Sequence, residues 1–155
     1  NFNLKMQEIE RKFTVNKEEW IKVNKPIPIL IQQSYISSKK ECTIRVRIKN
    51  KKGFLTIKGE TKNISRTEFE YEIPLKDAES MIEQFSEKTL SKHRYEIKVG
   101  NHTWEVDEFH GKLNGLIIAE IELKTEDESF ILPEWVIEDV STNPRYYNSN
   151  LINEL

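Results

Sequence analysis

Residues 7–15 read QEIERKFTV. Glu8, Glu10 and Lys12 take every second position, with Ile9, Phe13 and Val15 between and after them. A period of two belongs to a β-strand, whose successive side chains point to opposite faces. A half-buried strand normally turns its polar face to water. Here that face carries two like charges side by side and then the opposite charge. The fold depends on whether it looks outward or inward.

The alternation recurs. Candidate strands span 7–15, 29–37, 42–49, 54–59, 66–73, 90–99, 102–109 and 116–124, eight in all. Turn-forming runs divide several of them: NKKG at 50–53, GN at 100–101 and GKLNG at 111–115. Such short spacings favour antiparallel neighbours. Asp77 is placed to cap a helix running to Phe85, with Ala78, Met81, Ile82 and Phe85 on one face. Shorter helices are expected near 16–23, over 126–131 and from about Pro144. Strands with added helices make an α+β chain. Eight antiparallel strands can close into a β-barrel that leaves no free edge.

Splitting each strand into its two faces gives the functional signal. Arg45, Arg47 and Lys49 oppose Ile44, Val46 and Ile48; Thr56 and Lys58 oppose Leu55 and Ile57. Glu68, Glu70 and Glu72 oppose Phe69, Tyr71 and Ile73; Lys92, Arg94, Glu96 and Lys98 oppose Tyr95, Ile97 and Val99. Glu105 and Asp107 oppose Trp104 and Val106; Glu120 and Glu122 oppose Ala119, Ile121 and Leu123. Taken strand by strand, apolar faces inside and charges in water is the ordinary arrangement. Like charges, however, are paired two apart on strand after strand: Glu8/Glu10, Arg45/Arg47, Glu68/Glu70, Lys92/Arg94, Glu105/Asp107 and Glu120/Glu122. Neighbouring like charges repel, so these pairs oppose folding unless a ligand compensates them. Helices with apolar faces also need an apolar sheet face to cover. The charges are therefore expected inside a water-filled barrel. Carboxylate pairs suit a hard divalent cation with open positions for water and phosphate. Arg and Lys pairs suit a chain of phosphates. A tunnel with both suits a metal–polyphosphate complex.

Bulk properties exclude other classes. The 155 residues suggest one domain, 1–155. The net charge of −2 provides no bulk field toward nucleic acid or an anionic membrane. No apolar run approaches the ~20 residues of a membrane span, and the first residues lack a secretory pattern. The single cysteine, Cys42, precludes an intrachain disulfide and reads as a small buried hydrophobe. These features point to the cytoplasm. No Gly-rich phosphate loop exists, one Cys with scattered His argues against zinc, and His93, His102 and His110 have no triad context. His93 reads as packing or surface, and Trp20, Trp104 and Trp135 as packing.

These residues resemble the CYTH domain, or triphosphate tunnel metalloenzyme, superfamily. Glu8-Ile9-Glu10-Arg11-Lys12 fits its E-x-E-x-K signature. QSYIS (33–37), TIRVRIK (43–49), LTIKGE (55–60), SRTEFEYEIP (65–74), KHRY (92–95), WEVDEFHG (104–111), AEIEL (119–123) and DVSTNPRYYNSNL (139–151) follow in the family's order. The chain is most similar to small bacterial members that act on inorganic tripolyphosphate. The resemblance implies an eight-stranded antiparallel tunnel with a charged interior and helices outside. It implies Mg2+ or Mn2+, with Glu8, Glu10, Asp107, Glu120 and Glu122 as the metal residues. It implies that Lys12, Arg45, Arg47, Lys58, Lys92 and Arg94 clamp phosphates. Glu68, Glu70 and Glu105 are expected near a second metal or on the tunnel wall. Tyr35, Arg145 and the C-terminal helix are expected to close or line one mouth.

The expected reaction is metal-dependent hydrolysis of tripolyphosphate, with Glu8, Glu10 and Lys12 central to catalysis, by a monomer or homodimer. Three alternatives share the tunnel: a class IV-type adenylate cyclase, a nucleoside or thiamine triphosphatase, and a non-enzymatic polyphosphate-binding module. A lipocalin-like carrier would require Ile44, Val46, Leu55 and Ile57 to face inward.

Overall fold

The period-two pattern becomes nine antiparallel strands among the described residues, 7–86 and 88–155 of a computed structural model. The first six residues, read above for a secretory pattern and as the start of the domain, lie outside the described residues. The strands are β1 (Gln7–Val15), β2 (Ile29–Lys39), β3 (Cys42–Lys49), β4 (Lys52–Gly59), β5 (Ser65–Ile73), β6 (Leu90–Val99), β7 (His102–Phe109), β8 (Ile117–Glu122) and β9 (Val136–Asp139).

The order β5-β4-β3-β2-β6-β7-β8-β1 closes on itself through β1 and β5. The eight strands expected from the sequence thus form the barrel. The ninth, β9, went unread because its four residues are too short to show a period. One edge of β1 pairs with β8 over Glu10–Thr14. The other is divided: Gln7, Glu8 and Ile9 pair with β5, and Phe13 and Val15 pair with β9. Asn50 and Lys51 turn the β3–β4 hairpin with φ of 48° and 68°. Positive φ at both central residues matches the natural twist of a two-residue hairpin.

Among the described residues, three α-helices lie outside the strands: α1 (Lys17–Ile21), α2 (Leu75–Phe85) and α3 (Asn148–Leu151). Asn16 caps α1 by accepting from the Glu19 backbone N–H at 3.1 Å. Asp77 does not cap α2. The helix begins after Pro74, and Asp77 lies in its first turn, where its charge complements the helix dipole. Helix α2 covers β3 and β4 and buries Ala78 completely. Gly53 permits this approach, since a Cβ there would lie 2.8 Å from the Ala78 Cβ.

No helix forms over 126–131. That stretch is a loop pinned at two points. Glu128 accepts from the Lys124 backbone N–H and pairs with His102, and Phe130 packs on Phe13 and Trp104. Cys42 is exposed rather than buried, because it opens β3 beside the hairpin turn.

Two apolar clusters remain. Phe13, Trp20, Trp104, Val106, Ile121 and Trp135 form one on the outer face of β1, β7 and β8. The three tryptophans are packing residues, as expected. Leu90, Phe109 and Ile118 form the other with Leu151 and Ile152 of the C-terminal segment. These three strand residues share parity with Lys92, Asp107 and Glu120, so this cluster fills part of the barrel interior.

Candidate functional site

The charged faces point inward. Glu8, Lys12, Arg45, Arg47, Lys92, Arg94, Asp107 and Glu120 are all buried. Two cavities, of about 380 Å³ and about 50 Å³, share Glu8, Glu10, Arg45, Lys58 and Asn148 as a common wall. A third, of about 230 Å³, shares Thr43, Arg66 and Tyr147 with the narrow one. The narrow cavity therefore forms a constriction between the larger one and the third, which opens among the exposed Ser38, Lys40, Glu60 and Pro144.

Each wall is set by strand register. Asp107 on β7 lies opposite Arg94 on β6, and Glu120 on β8 lies opposite Lys12 on β1. Arg94 donates to both Asp107 oxygens, at 2.8 and 2.9 Å, and to Glu105 at 3.1 Å. Lys92 Nζ lies 2.7 Å from Asp107 Oδ2. Burial would raise the Asp107 carboxyl, but Arg94 and Lys92 hold it down at about 2. Burial pushes the Lys92 ammonium down to about 7 despite Asp107, and Arg94 and Arg47 add to the effect. The facing part of the wall pairs Lys58 with Glu8 at 3.0 Å and with Glu68 at 3.3 Å. Arg45 donates to Thr56 at 3.1 Å and to Glu70 at 3.4 Å.

Glu10 differs from the other acids. It lies opposite Glu122 across β1 and β8. Burial, then Glu120 and Glu8, push its carboxyl well above the ordinary range. Glu8 goes the other way: burial alone would raise it, but Lys58 holds it well below that range. Lys12 lies 3.2 Å from Glu120 and donates to the Tyr146 carbonyl at 3.1 Å. Burial would depress its ammonium, but Glu120 and Glu10 hold it above the ordinary lysine range. A carboxylate crowded by carboxylates marks a place where added positive charge would be stabilised.

The CYTH domain sequence pattern matches residues 6–152. The chain belongs to the CYTH family. An inorganic triphosphatase of Acetivibrio thermocellus is 45% identical over 147 residues, covering 94% of this chain and 93% of that protein. One of Nitrosomonas europaea is 31% identical over 150 residues, covering 94% and 97%. A crystal structure described as an inorganic triphosphatase superposes with a TM-score of 0.66 at 29% identity, covering 94% of this chain and 93% of that one.

The CYTH barrel brings together most of the residues singled out in the sequence. Glu8, Glu10, Arg45, Arg47, Lys58, Glu68, Glu70, Arg94, Glu105, Glu120 and Glu122 line the larger chamber, and Lys12 and Tyr35 line the constriction. Lys92 and Asp107, expected to clamp phosphate and to hold metal, line neither cavity: they are fully buried on the same inward face as Arg94, with Asp107 paired to both Lys92 and Arg94. Arg145 is not brought in. Its side chain is 73% exposed and faces Glu154. The C-terminal segment reaches the constriction instead through Ser141, Tyr147, Asn148 and Ser149. Arg11 points outward, pairing with Asp139 at 3.0 Å and lying over the Phe130 ring.

The sequence reading passed over Gln33, Thr43, Thr56 and Arg66 as site residues. All four continue inward faces at period two, so the signal was present but carried no like-charge pair. Arg66 donates to the Gly59 carbonyl at 3.0 Å. Thr56 accepts from Arg45 and donates to Glu70 at 2.8 Å.

A divalent cation fits this donor set. The wall acids are hard oxygen donors, and Glu10 faces like charge. Among the described residues no three acids or histidines converge as a ready-made metal site. Mg2+-type sites commonly use one or two carboxylates and complete their shell with water and substrate phosphate. The arrangement thus suits a cation that enters with a polyanion.

Proposed function

We propose that the chain hydrolyses inorganic tripolyphosphate to pyrophosphate and orthophosphate with the help of Mg2+ or Mn2+. The observation that carries this reading is the buried, mixed interior. Acid pairs and basic clamps line one chamber of polyphosphate size, and the chain shares 45% identity with a relative named for this activity.

Glu8, Glu10, Glu120 and Glu122 are assigned to hold the cation, with Asp107 fixing the basic wall behind them. When bound there, a cation would supply charge neutralisation on phosphate oxygens and acidify water. Arg45, Arg47, Lys58 and Arg94 bind the phosphate chain from the larger chamber, and Lys12 binds it at the constriction. Glu8 and Glu10 stand at the wall common to both cavities, where Glu8 orients the attacking water and Glu10, with its raised carboxyl, accepts the proton. A P–O bond forms to that water as the bond to the leaving pyrophosphate breaks. The guanidinium and ammonium groups stabilise charge on the transferred phosphoryl and on the leaving group. No helix among the described residues is long and apolar enough to cross a membrane.

The test is incubation with Mg2+ or Mn2+ and tripolyphosphate, ATP or thiamine triphosphate in parallel. Orthophosphate released chiefly from tripolyphosphate is expected. Cyclic AMP with pyrophosphate from ATP, or chief turnover of the organic triphosphates, would replace this reading with the corresponding alternative.

A further inference from the structure

Gln33 is 0% exposed on the inward face of β2, opposite Arg47 of β3 and Leu90 of β6. Its Oε1 accepts from Arg47 Nε at 3.2 Å and Nη2 at 3.1 Å. Its Nε2 donates to the Tyr35 hydroxyl at 2.9 Å. The chemistry fixes this orientation. A guanidinium has donors and no acceptor, so the side of the amide facing Arg47 must be its carbonyl oxygen. The NH2 group then faces Tyr35, and the phenol oxygen must accept. The O–H of Tyr35 is left to donate elsewhere, and Tyr35 lines the constriction.

The partner of Arg47 sets it apart from its neighbours. Lys12, Arg45, Lys58, Lys92 and Arg94 each lie against a carboxylate. Arg47 lies against a neutral amide. An amide fixes the plane of the guanidinium without spending its charge on an ion pair. It also takes only one edge, Nε and Nη2, and leaves the other turned away.

We propose that Gln33 is a positioning residue for polyphosphate: it presents Arg47 as a fixed cation outside any ion pair and aims the Tyr35 hydroxyl proton into the cavity as a second donor to the same anion. This rests on the triphosphate reading of the cavity.

Gln33→Glu tests it with almost no change of shape. The carboxylate would pair with the Arg47 charge and accept the Tyr35 proton, reversing both effects. A purely structural Gln33 predicts a change in melting temperature and unchanged ligand affinity. The experiment measures cation-free binding of tripolyphosphate by calorimetry, steady-state kinetics with Mg2+, and thermal melting. Four variants are compared with wild type: Gln33→Glu, Gln33→Met, Tyr35→Phe, and Gln33→Glu combined with Tyr35→Phe.

Gln33→Glu should weaken tripolyphosphate binding about ten- to a hundredfold, the range of charge-assisted hydrogen bonds. KM should rise accordingly while kcat changes less than about threefold, as for loss of uniform binding. Tyr35→Phe should weaken binding about tenfold alone and less than about twofold in the Gln33→Glu background, a coupling that a double-mutant cycle isolates. If Gln33→Glu does not fold, Gln33→Met removes the same hydrogen bonds at similar volume and must show the affinity loss. Wild-type affinity in a folded Gln33 variant, or an equal Tyr35→Phe effect in both backgrounds, would overturn the proposal. Tripolyphosphate binding by wild type without turnover would defeat the hydrolase reading while leaving the Gln33 comparison decisive. Absence of both binding and turnover with wild type would defeat both.

Discussion

Strands β1, β7 and β8 face two different environments. Outward, Phe13, Trp104, Val106 and Ile121 pack with Trp20 and Trp135 in an aromatic core. Inward, one residue along, Lys12, Glu105, Asp107, Glu120 and Glu122 form a charged wall. Burial stabilises the outer face through area removed from water. The inner face incurs desolvation that its own ion pairs offset only in part. On these strands the aromatic core thus lies outside the barrel, and the charged wall lies inside it beside the smaller apolar cluster of Phe109 and Ile118.

The largest expected effect concerns the inner face alone. Glu10→Gln should cut tripolyphosphate turnover by a factor on the order of 10²–10⁴, the span of general-base contributions. The same substitution should raise the urea midpoint, since it removes a charge crowded by Glu8 and Glu120. A lowered midpoint would show that Glu10 is structural and break the contrast.

Next are matched truncations on the two faces. Trp104→Ala and Asp107→Ala should each lose about 3–5 kcal/mol, the first from a cavity and the second from stranding Lys92 and Arg94 without their anion. Only the second is repairable. Replacing Asp107, Lys92 and Arg94 together by Leu and Met should restore most of the stability and none of the activity, as read by denaturation and phosphate release. A triple variant as unstable as Asp107→Ala would mean that the inner pairs carry the fold.

A smaller effect concerns pH. The Lys92 ammonium is pushed down to about 7, against roughly 10.4 in an unfolded chain. Between those values the unfolded state binds the extra proton, so stability from this group rises with pH, by at most about 1.4 kcal/mol per unit. The urea midpoint of wild type relative to Lys92→Met should increase from about pH 7 to about pH 9.5. A flat difference would place the charged ammonium comfortably within the fold. Smallest is Lys52→Ala at the exposed Lys52–Glu72 pair, 3.9 Å apart. It should move stability by less than about 0.5 kcal/mol and leave turnover unchanged.

Much of this was legible in the sequence because strand parity is a strong code. Once Glu8/Glu10 and Arg45/Arg47 were read as inward, register placed the rest. The misses have separate causes. Asp77 and the 126–131 stretch were read by local propensity, but Pro74 set the helix start and Phe130 drew the loop onto the aromatic core. Arg145 was carried over by resemblance, and its face on a short 3-10 turn has no period to read. Gln33 was invisible as chemistry because an uncharged amide gains meaning only from its neighbours.

The divided edge of β1 has a mechanical consequence. Among the described residues, the barrel closes through the pairs Gln7–Thr67, Glu8–Arg66 and Ile9–Ser65. Glu8 belongs to that row, and its side chain is tied through Lys58 to Glu68. The bond that neutralises a wall acid is therefore also a stitch across the seam. A cation that draws Glu8 from Lys58 would slacken the closure at the moment of loading, and amide exchange along residues 65–67 would register it.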